Sequence, residues 1–357
     1  MARTRLLIVM SALTLLAAGC TAPEPDAGER IVPPETVLAG GDEWIHEVAF
    51  SPRDPLLVTV TSDLSELRFF DTAAGRQDGE PLQTDMTGSY DIAFTPDGRT
   101  LLVGGEGFDG KRVGVVELWD VAARKRTRPS LRPDDKFVTA VAASPFGSRI
   151  ATAGGDGGRT MVRVWDSATG KPGAQWEAGH EQAIAELAFS PDGKWLASAE
   201  HQGPGDSTLK LWEARTGKLI GVAEQAAVSG TLTFSADGRR IAYPSIYRIV
   251  TLEVPSMRML GERYVGEATE KVTGVAFTPD GRTLVGTGES YGTVYVWDAA
   301  TLDVIDWPAQ VPGRTFTSRR GPFRRLTPPT ISGDGRKLAA SGTDGDTSTY
   351  IWTLPQR

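Results

Sequence analysis

His46, His180 and His201 are the only histidines and Cys20 the only cysteine in a chain of 357 residues. General acid–base and nucleophilic catalysis draw on such residues at characteristic spacings. No His-Glu-x-x-His, paired-cysteine or Gly-x-Ser-x-Gly arrangement occurs here. Asp344-Gly345-Asp346 and Gly154-Gly155-Asp156-Gly157-Gly158 resemble calcium loops, but both lack the ordered alternation of oxygen ligands such a loop needs. Asp-Gly is ordinary turn chemistry. The expectation is therefore no catalytic residue, no metal and no cofactor. Carboxylates assembled across a channel from distant parts of the chain would escape a motif search.

One cluster exceeds structural need. Between Trp307 and Pro329 lie Arg314, Arg319, Arg320, Arg324 and Arg325, interleaved with Phe316 and Phe323 and free of acidic residues. Guanidinium groups beside aromatic rings suit an acidic partner, phosphate or anionic headgroups. Arg319, Arg320, Phe323, Arg324 and Arg325 are the candidate contact residues; the alternative is a solvated loop whose arginines are incidental.

The N-terminus reads as an address. Met1–Gly19 has basic Arg3 and Arg5, an apolar run over 6–16 and then small residues, the three parts of an export signal. It is too short for a comfortable membrane span of about 20 apolar residues. Ala17-Ala18-Gly19-Cys20 resembles a bacterial lipobox, which implies that Cys20 becomes the lipidated first residue, anchored on the extracytoplasmic face of the cell membrane. Residues 20–30 then form the lipidated cysteine and a flexible tether, in which 21–30 reach at most about 33 Å. Loss of Arg3 and Arg5 moves the formal charge from −7 to −9. That balance opposes nucleic-acid binding, which shows itself as a basic face.

The elements that must position any site repeat along the chain. Turn anchors at Ser51, Thr95, Ser144, Ser190, Ser235, Thr278 and Ser332 are spaced by 44, 49, 46, 45, 43 and 54 residues. Each lies between two apolar runs, and Pro-Asp-Gly after the hydroxyl reads as a hairpin turn. A third strand then ends on Phe70-Asp71, Trp119-Asp120, Trp165-Asp166, Trp212-Glu213, Trp297-Asp298 or Trp352-Thr353, with Leu252-Glu253 in the fifth copy.

These turn-plus-strand units make residues 31–357 similar to the WD-repeat β-propellers. The resemblance implies an all-β fold, a seven-bladed propeller of four-stranded antiparallel blades in one domain. It also implies a structural network of His180, Ser198, Asp206 and Trp212 in the fourth copy, with His46 as the counterpart of His180 before the first. Elsewhere the set decays: the third copy keeps Thr152 and Trp165 but has Arg159 at the Asp position. The seventh keeps Asp346 and Trp352 but has Ala340 at the Ser position. The seventh copy ends without an outer strand, and the spare apolar stretch Ile31–Ala39 is expected to supply it and close the ring.

Long segments at Gly105–Gly114, Gly155–Met161 and Glu200–Ser207 are expected as loops on one face of the disc, where binding usually resides. Together these features point to a non-catalytic, membrane-anchored, monomeric platform for a protein or cell-envelope partner. A hydrolase- or lactonase-type enzyme and an extracellular small-ligand sensor stand as alternatives.

Overall fold

A computed structural model describes residues 33–355 apart from 42–43, 62–64, 134, 156–157, 201–206, 225, 266–270, 290–291, 306–308, 311–324 and 344–345. Every element in it is a β-strand, and the strands form seven antiparallel sheets. Blade 4 shows the plan: Ile184–Phe189, Trp195–Glu200, Leu209–Glu213 and Lys218–Ala223 lie side by side in chain order. The first strand of each blade packs against the first strand of the next all the way round, so these strands line a central axis. Seven apolar clusters fill the seven blade interfaces. Between blades 3 and 4, for example, Val162 and Val164 meet Leu187, Leu196 and Trp212.

The repeated turn explains itself in hydrogen bonds. Thr278 Oγ1 donates to Asp280 Oδ1 at 2.6 Å and accepts from Thr283 N at 3.1 Å, while Arg282 N donates to the same Asp280 oxygen at 3.0 Å. Gly281 takes φ +69°, which a side chain would resist. Ser235 and Ser332 make the same bonds although Ala236 and Gly333 replace proline. The hydroxyl and the carboxylate, rather than the proline, carry this turn. At the end of the third strand the acid after the aromatic residue accepts from the following turn, as Asp71 after Phe70 does from Ala73 N and Ala74 N, both at 2.9 Å.

The ring closes as the sequence predicts. Thr36–Ala39 pairs with Ser348–Thr353 as the outer strand of blade 7, Thr36 opposite Ile351 and Ala39 opposite Ser348. Residues 31–32 of the expected stretch lie outside the described residues. Leu38, 2% exposed, packs with Val48, Phe50, Leu57 and Phe70 of blade 1 and Ile351 of blade 7, so one side chain joins the two ends of the chain.

Two details differ from the simple plan. The outer strand of blade 1 is split into Arg76–Gln77 and Leu82–Gln83, both pairing with Glu66–Asp71. Gly79 at φ +83° and Pro81, which has no N–H to donate, interrupt it. Residues 105–114 are not a loop: Thr100–Phe108 and Arg112–Asp120 continue the blade as a tall hairpin with Phe108 opposite Arg112.

Candidate functional site

Blade 4 joins His180, Ser198 and Trp212 of the expected network in one hydrogen-bonded chain. Trp212 Nε1 donates to Ser198 Oγ at 2.9 Å, and Ser198 Oγ lies 2.8 Å from His180 Nε2. His180 Nδ1 lies 2.9 Å from Thr208 Oγ1, which donates to Glu200 Oε1 at 2.8 Å. An indole N–H only donates and a carboxylate only accepts, so the direction of the chain is forced. Ser198 donates to Nε2, and His180 carries its proton on Nδ1. Burial, then the charge of Lys210, pushes His180 down to about 4, which keeps the ring neutral. Burial pushes Glu200 up, but hydrogen bonds from Gln182 and Thr208 outweigh it and hold the carboxyl below its usual range. Asp206, expected to end this chain, lies outside the described residues. Every polar atom of the observed network is used internally, as a scaffold requires.

The other blades show what happens when members are lost. In blade 3 Trp165 Nε1 donates to Thr152 Oγ1 at 3.0 Å, while Arg159 turns away to pair with Glu177 at 2.7 Å. Blade 2 has Val103 where blade 4 has Ser198, and Trp119 Nε1 donates instead to the buried Glu117 at 2.9 Å. In blade 7 Ala340 leaves Trp352 Nε1 buried without a partner. Blade 1 makes the converse loss: Phe70 cannot donate, and Thr59 Oγ1 is the orphan.

His46 is not the counterpart of His180. Ile45 and Ile184 occupy the same register, so His46 corresponds to Ala185 in the inner strand, and Gly41 holds the place of His180. Both blades carry a β-bulge at this register, and His46 is the bulged residue of blade 1. The register skips His46 between Ile45 and Glu47, Tyr90 between Ser89 and Asp91, and Ala185 between Ile184 and Glu186. The extra residues stand at the mouth of the channel, where the rings of His46 and Tyr90 meet edge to face at 6.3 Å.

Directly below them lies a feature that no linear motif signals. Glu47, Asp91 and Glu186 occupy one equivalent inner-strand position in blades 1, 2 and 4, where blades 3 and 6 have Ala140 and Gly274. Blade 4 is adjacent to neither blade 1 nor blade 2, yet Glu186 feels the charges of both Asp91 and Glu47. That interaction crosses the central channel. Burial, then the charge of Asp91, pushes Glu47 up to about 8. Burial pushes Asp91 up to about 7, although its Oδ2 accepts Val141 N of the next blade at 2.7 Å. Burial and its two acidic neighbours raise Glu186 well above the carboxylate range. All three carboxyls of the channel are thus pushed above the ordinary carboxylate range, Glu47 and Asp91 to near neutral pH. Among the described residues no group of three or more His, Cys, Asp and Glu is disposed to bind a metal ion.

The loop face carries the remaining candidates. Trp44 and Phe108 stand 57% and 71% exposed there. Arg325 is the one expected contact residue within the described structure. It lies beside this face, its Nη1 3.9 Å from Glu289 Oε1, while its backbone carbonyl accepts Thr343 N. Arg319, Arg320, Phe323 and Arg324 fall outside the described residues, as does Cys20. Of the segments expected as loops, 155–161 is tied by a Gly155–Thr160 pair, and 201–206 lies outside the description.

The WD domain, G-beta repeat family matches residues 127–166, 170–213 and 262–298, which are units of blades 3, 4 and 6. The chain is 31% identical over 160 residues to WD repeat-containing protein SL1-17 of Schistosoma mansoni, covering 44% of this chain and 46% of that one. It is 27% identical over 172 residues to WD repeat-containing protein 1 of Gallus gallus, covering 36% and 27%. It is 32% identical over 126 residues to the small ribosomal subunit protein RACK1 of Brassica napus, covering 33% and 35%. The matches span less than half the length of these relatives. The WD-repeat family is supported both by the matched repeats and by the relatives that carry its name.

Proposed function

We propose that this WD-repeat propeller is a non-catalytic platform, held by lipid at Cys20 outside the cytoplasmic membrane, that captures a protein or cell-envelope partner on its loop face. The observation that carries the reading is the contrast between the two kinds of polar and aromatic residue. His180, Ser198, Thr208 and Glu200 are consumed by one another inside blade 4, whereas Trp44 and Phe108 stand unburied on the loop face. Exposed aromatic side chains on a rigid frame are what interface anchors are made of. WD-repeat propellers typically serve as such scaffolds, and a closed ring suits that role because binding does not need the frame to move. The lipobox-like Ala17-Ala18-Gly19-Cys20 supports the anchor. Two acyl chains hold a protein on a membrane where one does so only marginally.

Labelled palmitate tests the anchor: incorporation into the wild-type chain and none into Cys20→Ser is expected, and absence of label from the wild type removes it. Crosslinking in intact cells from position 108 tests the platform. A discrete protein adduct that is lost with Trp44→Ser is expected, and no adduct removes the reading.

A second reading has its own observation. Glu47 and Asp91 are carboxyls poised near neutral pH at the channel, and Glu186 beside them is raised well above the ordinary carboxylate range, which favours a hydrolytic enzyme or a small-ligand sensor. The two readings separate in one variant. Glu47→Gln/Asp91→Asn/Glu186→Gln leaves capture at the loop face unchanged if the channel only supports the ring, and abolishes function if it is the site.

A further inference from the structure

The two faces of the disc differ in charge. The start of each second strand pairs with the end of the third, Leu56 with Asp71, Thr100 with Asp120 and Thr283 with Asp298. The first turns of the blades (51–55, 95–99, 144–149, 190–194, 235–240, 278–282, 332–337) therefore share one face with the second turns (71–76, 120–126, 166–171, 213–218, 253–258, 298–303). These turns hold 17 of the chain's 38 Lys and Arg but 13 of its 45 Asp and Glu. The turn face is net positive in a chain of charge −7. Its carboxylates are engaged in the turns, as Asp192, Asp237 and Asp334 are with a serine hydroxyl and a backbone N–H. Arg53, Arg99, Lys194, Arg239, Arg282 and Arg336, one to a blade, are exposed.

Blade 3 breaks the pattern in an informative way. The turn position that is Asp in five of the other six blades, and Arg53 in blade 1, is Phe146, 74% exposed. Beside it opens a cleft of about 350 Å³ lined by Arg149, Gly193, Lys194, Glu213 and Arg215. A Cβ on Gly193 would stand 3.6 Å from both Phe146 Cδ2 and Arg149 Nη2, so the ring and the cleft adjoin. Three cations face one carboxylate, and Glu213 already accepts the hydroxyl of Thr216. Cations beside an exposed aromatic ring form the composition that meets phospholipid at a membrane surface.

The chain also enters the ring on this face. Thr36 pairs with Ile351 near the end of the third strand and Ala39 with Ser348 at its start. Thr36 Cγ2 lies 3.5 Å from where a Cβ on Gly75, in a second turn, would stand. The described chain therefore begins beside the turn face.

We infer that the turn face is a membrane-contact surface: anionic phospholipid headgroups occupy the Arg149–Lys194–Arg215 cleft, Phe146 inserts beside them, and the loop face is held outward. The outward orientation rests on the anchored reading proposed above; the affinity for anionic lipid does not.

The test uses the full chain carrying Cys20→Ser, so that no acyl group contributes, with vesicles of phosphatidylcholine alone or containing one third phosphatidylglycerol. Sedimentation at low salt should show preference for the anionic vesicles. Lys194→Ser/Arg215→Ser should weaken that binding about twenty-fivefold, from roughly fivefold per cation near a charged surface. Phe146→Ser should weaken it severalfold, and Lys111→Ser/Arg112→Ser on the loop face should change it less than twofold. All four positions of the double variants are exposed, and an unchanged thermal midpoint confirms that each variant is folded. Equal binding to both vesicle types, equal losses from the cleft and loop-face variants, or retention on heparin in place of vesicles would each overturn the inference.

Discussion

Replacing Glu47 by Gln should stabilise the propeller at alkaline pH and leave it nearly unchanged in mild acid. A carboxyl whose folded pKa lies above its unfolded value binds protons more tightly in the folded state. Its burden is absent below the unfolded value and grows as pH rises toward the folded one. For Glu47 that window runs from 4.5 to about 8. At about 1.36 kcal/mol per unit, the shift corresponds to a ceiling of about 5 kcal/mol. Glu47 is only half-buried, so channel water screens part of this, and a gain of roughly 2 to 3 kcal/mol at pH 9 is expected for Glu47→Gln. The neutral amide also relieves Glu186, which feels the charge of Glu47. Urea unfolding at pH 5, 7 and 9 measures the effect as a shift in midpoint at constant slope. The wild type should lose stability from pH 5 to 9, and the variant should lose much less. A wild type equally stable across that range, or a variant weaker than wild type at pH 9, would refute the assignment of these carboxyls to a shared, proton-holding channel.

Three further outcomes follow from the scaffold. Because the folded pKa of His180 is depressed from 6.5 to about 4, stability should also fall as pH drops below about 6.5, and His180→Gln should flatten that acid limb in the same urea series. Ala340→Ser supplies the acceptor that Trp352 Nε1 lacks; it should raise the unfolding free energy by about 1 kcal/mol, and a loss would contradict the orphaned indole. Deleting 31–39 should destabilise the ring far more than deleting 21–30, and Leu38→Ala alone should cost about 2 to 5 kcal/mol by thermal or urea unfolding, since it empties the joint between the first and last blades.

The frame was legible because its determinants are local. In five of the seven copies a hydroxyl, an Asp and a Gly within four residues specify the first turn, and in four a Trp before an acid marks the end of the third strand, so blade count and closure followed from spacing. The network of blade 4 was legible for three members and missed Thr208 and Glu200, which close it through strand register. His46 lies inside the inner strand, five residues past Gly41, the place of His180, and a lone His beside an apolar run does not reveal that offset. Residues 105–114, expected as a loop from the length of the segment between second and third strands, instead continue both strands as a paired hairpin. The channel carboxyls were invisible for a different reason. Glu47, Asp91 and Glu186 each look like a solvent-facing position in an alternating strand, and only the curvature of the ring brings them within range of one another. Alignment of the repeats by their turns, followed by reading one inner-strand column, is the signal that finds them.

The platform account is tested most directly by where an anchored molecule touches its partner. A photo-crosslinking residue placed singly at position 108 on the loop face and at position 282 on the turn face, in cells carrying the full chain, compares the two surfaces in one membrane preparation. The account predicts the same discrete protein adduct from every preparation of the position 108 variant, and only lipid adducts from position 282. Protein adducts from position 282 with none from position 108 would contradict it.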